Sequence, residues 1–482
     1  MKHSVFVAIG SPAIRPKCYL SLRPGLLAAI LFFGINSVLH AQTNTNSDVA
    51  NSELGPNTSQ ENRVLLQNSG VGHSIIPDPE TILGHRLLHK AGTHNAAAQK
   101  TNEIHSNGIG KISSSVPNRG GVTHRFFITD LGTLGGTESF AYAINDLGQV
   151  VGLSSTAGDV AEHSFLYSNG RMTDLYPLNS QSILTVGPTR INNSGQIASG
   201  LIVGRVYSPV IFDSRTGSVT LPDTLGGVTS FDFNGVATSL NNHADAVGYS
   251  YIDAINRHAF LYSNGVTRDI DPLGGYSVAF AINDEGMVVG LASAQFNGTA
   301  TAFMRSQGFA RTIFHAGTES DARGVNNHGQ VVGEFLTADG TSFHGFLYSG
   351  GVVTDIGSPE SPQTTGFAIN DQQQVVGTTF VPYQTTCPDG PCVQYKEHAF
   401  FYQGGTLADL NSLIPSGSGW ELSWAFDINN HGGIVGYGQV NDRFRAFLLT
   451  PATSKDLCKD GGWESFGFKN QGQCIQFVLT GE

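Results

Sequence analysis

Four histidines stand eleven residues before four aspartates: His163 and Asp174, His258 and Asp269, His344 and Asp355, His398 and Asp409. An imidazole held by a carboxylate is the base of a nucleophilic triad, and a set of histidines can begin a metal site. No serine, cysteine or threonine recurs beside these pairs as a nucleophile, which leaves a triad incomplete. Where the histidine is missing, the aspartate is missing too: Ser208 goes with Leu221, and Thr301 with Thr312. A further copy has Arg445 in place of the histidine, and its aspartate would be Asp130, far upstream. Joint presence and absence inside one chain points to a structural His–Asp or Arg–Asp contact between neighbouring strands, directly opposite or diagonal.

The elements that position these pairs are repeats. Ala143-Ile144-Asn145-Asp146-Leu147-Gly148-Gln149-Val150-Val151-Gly152 returns, with variations, at Asn192, Asn241, Asn283, Asn326, Asn370 and Asn429. The period is about 47 residues, which marks an array. Each copy divides into four short extended runs. In the first these are 140–144, 149–153, 163–167 and 171–175, with Asn145–Gly148 and Ser168–Gly170 as tight turns. Four strands in this length make a propeller blade. The last copy lacks its fourth strand, while residues 126–132 precede the first copy without partners. The expected fold is therefore all-β: a seven-bladed propeller over residues 122–451, closed by an N-terminal strand that completes the last blade.

This architecture bears on the chemistry. Strand three lies about 10 Å further from the axis than strand one, so histidines of different blades cannot converge on one ion. The Asn-Asp-x-Gly turns do not match a calcium loop, and Asn or Asp bonding its own backbone accounts for them. No Gly-x-Ser-x-Gly, phosphate loop or His-Glu-x-x-His occurs, so no catalytic residue, metal or cofactor is expected.

The Ile-Asn-Asp-x-Gly-Gln-Val-Val-Gly phrase alternates with His258-Ala259-Phe260-Leu261-Tyr262, His398-Ala399-Phe400-Phe401-Tyr402 and Asp130-Leu131-Gly132-Thr133-Leu134-Gly135-Gly136. In these phrases the chain resembles the bacterial HAF-type extracellular repeat family. Ser208-Pro209-Val210-Ile211-Phe212 in the second copy departs most. The resemblance implies secretion and a propeller, and no particular activity. The tail from Cys458 to Cys474 resembles a short C-terminal module of bacterial exported proteins.

Residues 1–41 read as a signal peptide, with Lys17 and Arg23 ahead of the apolar run 26–33 and Ala41 at a plausible cleavage position. An uncleaved anchor is the alternative, although the run is short for a span, and no other stretch reaches membrane length. Residues 42–121, polar and without periodicity, read as a disordered linker. Beyond the signal, Cys387, Cys392, Cys458 and Cys474 allow three pairings; the local one, Cys387–Cys392 and Cys458–Cys474, is simplest and suits export. Residues 452–482 then form a small disulfide-containing tail. Residues 1–41 hold four of the 26 bases and none of the 38 acids, which leaves the remainder at −16. Lys396 is the one lysine of the repeats, so nucleic acid is a poor partner.

The expected function is that of a secreted, monomeric, non-catalytic binding or scaffold protein whose ligand is a glycan, a surface polymer or a protein. The alternative is a secreted polysaccharide hydrolase or lyase with carboxylates at the propeller's mouth, which would need acids outside the repeat register. The strand two-to-three loops and blade connections share one rim, where binding residues concentrate. On it, the long 377–398 segment with Tyr383 and Tyr395, and the 411–421 extension with Trp420, are the contact candidates.

Overall fold

The computed structural model describes residues 124–481, apart from 176–182, 204–205, 228–233, 316–317 and 388–389. The expected signal peptide and the whole of the linker lie outside the described residues. The fold is a seven-bladed β-propeller of four-stranded antiparallel sheets. Six blades are built from consecutive strands; blade 1, for example, comprises Gly135–Ile144, Val150–Thr156, Glu162–Ser168 and Arg171–Asp174. Blade 7 comprises Trp420–Ile428, Ile434–Val440 and Arg443–Pro451, and its outermost strand is Phe126–Asp130. That strand pairs from Phe126 opposite Pro451 to Asp130 opposite Phe447.

The repeated phrase becomes intelligible in the packing. A strand-three phenylalanine is completely buried in six blades: Phe165, Phe260, Phe303, Phe346, Phe400 and Phe447. Each faces the glycine of the strand-two Val-Val-Gly or its variant, as Phe165 faces Gly152. A Cβ on Gly152 would lie 1.9 Å from the Phe140 carbonyl and 2.8 Å from the Phe165 ring. The glycine thus lets the aromatic ring and the neighbouring strand close on one point. Apolar side chains on strands one to three then pack blade against blade, as where Ala368, Phe401, Ala425 and Phe447 share one core. Blade 2 puts Val210 opposite Ser199 instead, consistent with its departure in sequence.

The 377–398 segment is not a loop. Strands Val375–Cys387 and Gly390–Gln403 run on as a hairpin, paired from Val375–Tyr402 to Cys387–Gly390. Register pairing runs continuously along both strands, so the chain crosses here as a ladder and not as an irregular loop. Beyond blade 7 the tail contains a helical turn, Gly462–Ser465, and a helix, Gln471–Thr480. Its Cys458–Cys474 disulfide is buried with Phe477 against Phe127 of the closing strand. Phe466 stacks on Phe127 at 4.0 Å, and Arg125 donates to the Val478 carbonyl at 3.1 Å. Cys392 is also disulfide-bonded, while the Cys387 side chain lies outside the described residues.

Candidate functional site

The His–Asp contacts form as diagonal pairs. Asp269 lies opposite Phe260, two residues along the strand from His258, and the two side chains meet at 2.7 Å through Nδ1. The equivalents are 2.8 Å for His163–Asp174, 2.8 Å for His344–Asp355 and 2.7 Å for His398–Asp409. No hydroxyl or thiol hydrogen-bonds His258, His344 or His398 among the described residues. The aspartates have a second task. Their other oxygen accepts an amide two residues on: Asp271 for Asp269, Gly357 for Asp355 and Asn411 for Asp409. Asp130 keeps this amide bond, from Gly132 at 2.8 Å, but forms no ion pair with Arg445. The expected Arg–Asp pair is therefore absent among the described residues, and the aspartate is accounted for by the turn it holds.

The contact candidates on the rim do not come together. Tyr383 (37% exposed) lies opposite Gln394, and Tyr395 (46% exposed) opposite Pro382, so the two tyrosines face opposite sides of the hairpin. Tyr383 donates to Gln394 Oε1 at 2.8 Å, and Lys396 Nζ sits 5.6 Å from its ring. Trp420 is not a rim residue. It opens strand one of blade 7 and lies edge-on to Phe447, against the core.

Two constellations on the axis were not anticipated. At the turn mouth, each repeat asparagine donates its Nδ2 to the asparagine carbonyl of the next blade: Asn145 to Asn192, then Asn241, Asn283, Asn326, Asn370, Asn429 and back to Asn145, at 2.8–3.1 Å. The following residues form a second ring, in which the amide of each donates to the Oδ1 of the next, from Asp146 to Asn193 and on to Asn430 and Asp146. These rings line an axial cavity of about 160 Å³. Two residues before each asparagine the repeat has a small residue, except for Arg190 and Asp427, which form an ion pair within the cavity. Asp427 also accepts from the Ile144 amide at 3.0 Å.

Deeper along the axis, strand one of every blade has a register irregularity, skipping Tyr142, Thr238, Phe280, Arg323, Phe367 and Phe426 in six of them. A bulge re-aims the side chain it leaves unpaired. Here the re-aimed side chains meet from blade to blade. The Arg323 guanidinium lies 5.8 Å from the Phe280 ring centroid and 5.5 Å from that of Phe367. Phe367 lies 5.4 Å from Phe426, and Phe426 5.4 Å from Tyr142. Trp424 stacks on Phe367 at 5.3 Å and contacts Phe426 at 5.5 Å. Phe367, Trp424 and Phe426 remain partly exposed. The result is an arc of four aromatics and one arginine through blades 4, 5, 6, 7 and 1, with Trp424 laid on it.

Acids surround this arc. Arg323 binds Asp321 through both Nε and Nη2, at 2.9 and 2.8 Å, and reaches Glu334 at 3.4 Å. Glu334 also accepts from Thr365 at 2.6 Å and Gln363 at 3.2 Å. Glu397 accepts the Trp424 indole N–H at 2.8 Å; burial raises its pKa, and that hydrogen bond only partly offsets the rise. On the blade 1 side, burial and Asp159 raise the Glu138 carboxyl. Desolvation and Glu138 raise Glu162, whose side chain still reaches solvent. Burial and then Glu162 push up the Tyr142 hydroxyl, and burial, Glu397 and Tyr142 push up that of Tyr437. The signal in the sequence is variation inside a repeat: three residues before each asparagine stand Tyr142, Thr189, Thr238, Phe280, Arg323, Phe367 and Phe426, within an otherwise constant phrase.

The chain belongs to the structural class of seven-bladed propellers with a ring-sealed axis. No family model matches the sequence, and no curated protein matches it. Among solved structures it is similar to the β-propeller domain of the Trilobed protease from Pyrococcus furiosus, at 11% identity and a TM-score of 0.41, over 66% of this chain and 98% of that one. It is also similar to TolB from Acinetobacter baumannii, at 12% identity and a TM-score of 0.33, over 66% of this chain and 65% of that one. An oligogalacturonate lyase from Vibrio parahaemolyticus aligns at 9% identity and a TM-score of 0.38, over 68% of this chain and 97% of that one. At these identities and TM-scores the likeness carries no argument about this chain.

Proposed function

We propose that this chain is an exported bacterial propeller of the HAF-type repeat kind that binds a glycan at the aromatic arc. One observation carries the reading. The partly exposed Phe367–Trp424–Phe426 group is flanked by polar groups fixed in place, Arg323 on one side and Glu397 on the other. Sugar rings stack their apolar faces on aromatic rings and hydrogen-bond at their edges, and a binding site needs a few well-placed polar groups around an apolar surface. Arg323 and Trp424 have no counterpart in the other copies, and the position of Phe367 and Phe426 varies from copy to copy, whereas the asparagine rings obey the repeat throughout. A scaffold needs only the second kind of residue.

The test is a polysaccharide and oligosaccharide screen on the full chain, repeated with Trp424→Ala after its melting curve has been checked. We expect a saccharide to bind, and the variant to lose at least about tenfold in affinity, since base and sugar stacking on one ring contributes on the order of 1–3 kcal/mol. Unchanged affinity would place the ligand elsewhere. Glycan cleavage is the second reading, favoured by the carboxyl that burial raises at Glu397, as a general acid requires. Mass spectrometry of the incubated saccharides separates the two, because only cleavage yields shorter products.

A further inference from the structure

The closing strand, Phe126–Asp130, is the outermost of blade 7 and pairs along one side. A strand at the edge of a sheet opens before the strands inside it. Alternation sends its side chains to two faces. Phe126 and Ile128 enter the core between blades 6 and 7. Phe127 points the other way and is nevertheless completely buried. Among the described residues its core partners all come from the tail: Cys458, Cys474 and Phe477, ringed by Trp463, Phe466 and Phe468. The backbone is tied as well, where the Ala452 amide donates to the Arg125 carbonyl at 2.8 Å. The strand then leads into the joint between blades 7 and 1. The Leu131 amide donates to the Ala446 carbonyl at 3.0 Å, and its side chain shares a core with Ala446 of blade 7 and Phe165 of blade 1. What covers the closing strand is thus a segment too small to hold a shape unaided. Its longest helix has 10 residues, short of what persists in isolation, and a chain of this size needs a staple. The Cys458–Cys474 bond, spanning 16 residues, is that staple. A crosslink of this span shifts a folding equilibrium by about a hundredfold.

We propose that the tail is a redox-dependent latch on the ring: the propeller shuts fully only once Cys458 and Cys474 are joined. In forming the bond, the two thiols give up two protons and two electrons to an exchanging disulfide, which leaves as a dithiol. A dithiol reductant reverses this, returning two thiols to the chain and itself becoming a disulfide. Both cysteines are completely buried when the tail is docked, so the exchange proceeds through the undocked tail. A chain that has not met an oxidising compartment keeps a loose outer strand on blade 7, and an oxidised chain is closed.

The experiment is amide hydrogen exchange, read by mass spectrometry, on the full chain and on Cys458→Ser with Cys474→Ser, which leaves the bond at Cys392 in place. We expect the amides of Phe126–Asp130 to exchange at least about tenfold faster in the variant. Strand Gly235–Leu240 of blade 3 should keep its protection, which also shows that the variant is folded. The wild-type chain, folded first and then held in a dithiol reductant, should show the same local loosening without any substitution. Unchanged exchange at Phe126–Asp130 in both arms overturns the latch, since packing alone would then hold the strand. Loss of protection in all blades together also overturns it, because closure would then not be separable from the fold.

Discussion

Replacing Asn326 by alanine removes one link of the axial ring and is the sharpest test of what seals the propeller. Asn326 is buried and makes four hydrogen bonds with its side chain. Nδ2 donates to the Asn370 carbonyl of the next blade at 3.0 Å and to Gln330 Oε1 at 2.8 Å. Oδ1 accepts the His328 and Gln330 amides at 3.1 and 2.9 Å. At about 1 kcal/mol net per bond, the loss approaches ~4 kcal/mol, and water entering from the turn mouth to solvate the freed groups reduces it to ~3. Asn326→Asp dissects this figure. It keeps both acceptor bonds, loses both donors and turns a carboxylate toward two oxygen acceptors, so it should cost about 2–3 kcal/mol at neutral pH and less in acid, where a protonated carboxyl can donate again. Urea unfolding, with the slope checked for constancy, measures both variants. If either costs no more than the ~0.5 kcal/mol of an ordinary surface change, the ring is an ornament of the turns and does not hold the blades together.

Three further outcomes are expected. His258→Ala and Asp269→Ala should each cost about 1 kcal/mol or less, because Asp269 is 45% exposed on its side chain, and a double-mutant cycle should show the two losses to be non-additive; full additivity would mean that the contact carries no energy. At His398 the hydrogen bond to Asp409 outweighs burial and raises the pKa above 6.5. At Asp409, burial acts upward but the His398 and Asn411 hydrogen bonds win and lower the pKa below 3.8. The histidine's contribution is thus complete below pH 6.5 and is lost as pH rises through its folded value; the aspartate's is present above pH 3.8 and is lost as pH falls through its own. His398→Gln should flatten the upper limb of the stability–pH curve, and an unaltered limb would exclude this pair as its source. Finally, Phe127→Ala should destabilise by about 3–5 kcal/mol, as for a large buried aromatic, and expose the tail to limited proteolysis; a tail that stays protected would show that it is not anchored on the closing strand.

Much of this molecule was legible because the repeat writes it seven times. The Asn145–Gly148 turn, the strand order and the unpartnered strand before the first copy all follow from local phrases and their spacing. The His–Asp contacts were legible from joint presence and absence, although Arg445 shows that a substituted partner need not keep the contact. What could not be read is where the alternation breaks. A bulge changes which side of the strand the next residue occupies, so Phe367 and Phe426 read as ordinary strand residues. Trp420 and Trp424 illustrate this. Two residues on, an irregularity between Leu422 and Trp424 separates Trp420, packed on Phe447, from Trp424, laid on the arc. The blade 6 arm was misread for a related reason: Pro382 and the Thr385-Thr386-Cys387 run look like a loop, and only the facing strand shows that every residue has a partner.

The arc is also lopsided, and its lopsidedness bears on function more than its composition does. On blades 2 and 3 the equivalent positions hold Thr189 and Thr238, whose hydroxyls are tied to backbone carbonyls of their own and the next blade: Thr189 to Ala198 and Ala237, Thr238 to Val247 and Ala279. Those two blades present short, satisfied side chains to the axis, while blades 4 to 1 present rings and charge. A structural belt that merely filled the channel would need no such division, since any apolar side chain of the right volume can pack a core. Holding Arg323, Asp321 and Glu334 at this depth carries a desolvation cost that an apolar filling would avoid. On the glycan reading proposed above, the arc of rings and its flanking acids is kept polar against the interests of stability because it serves a ligand.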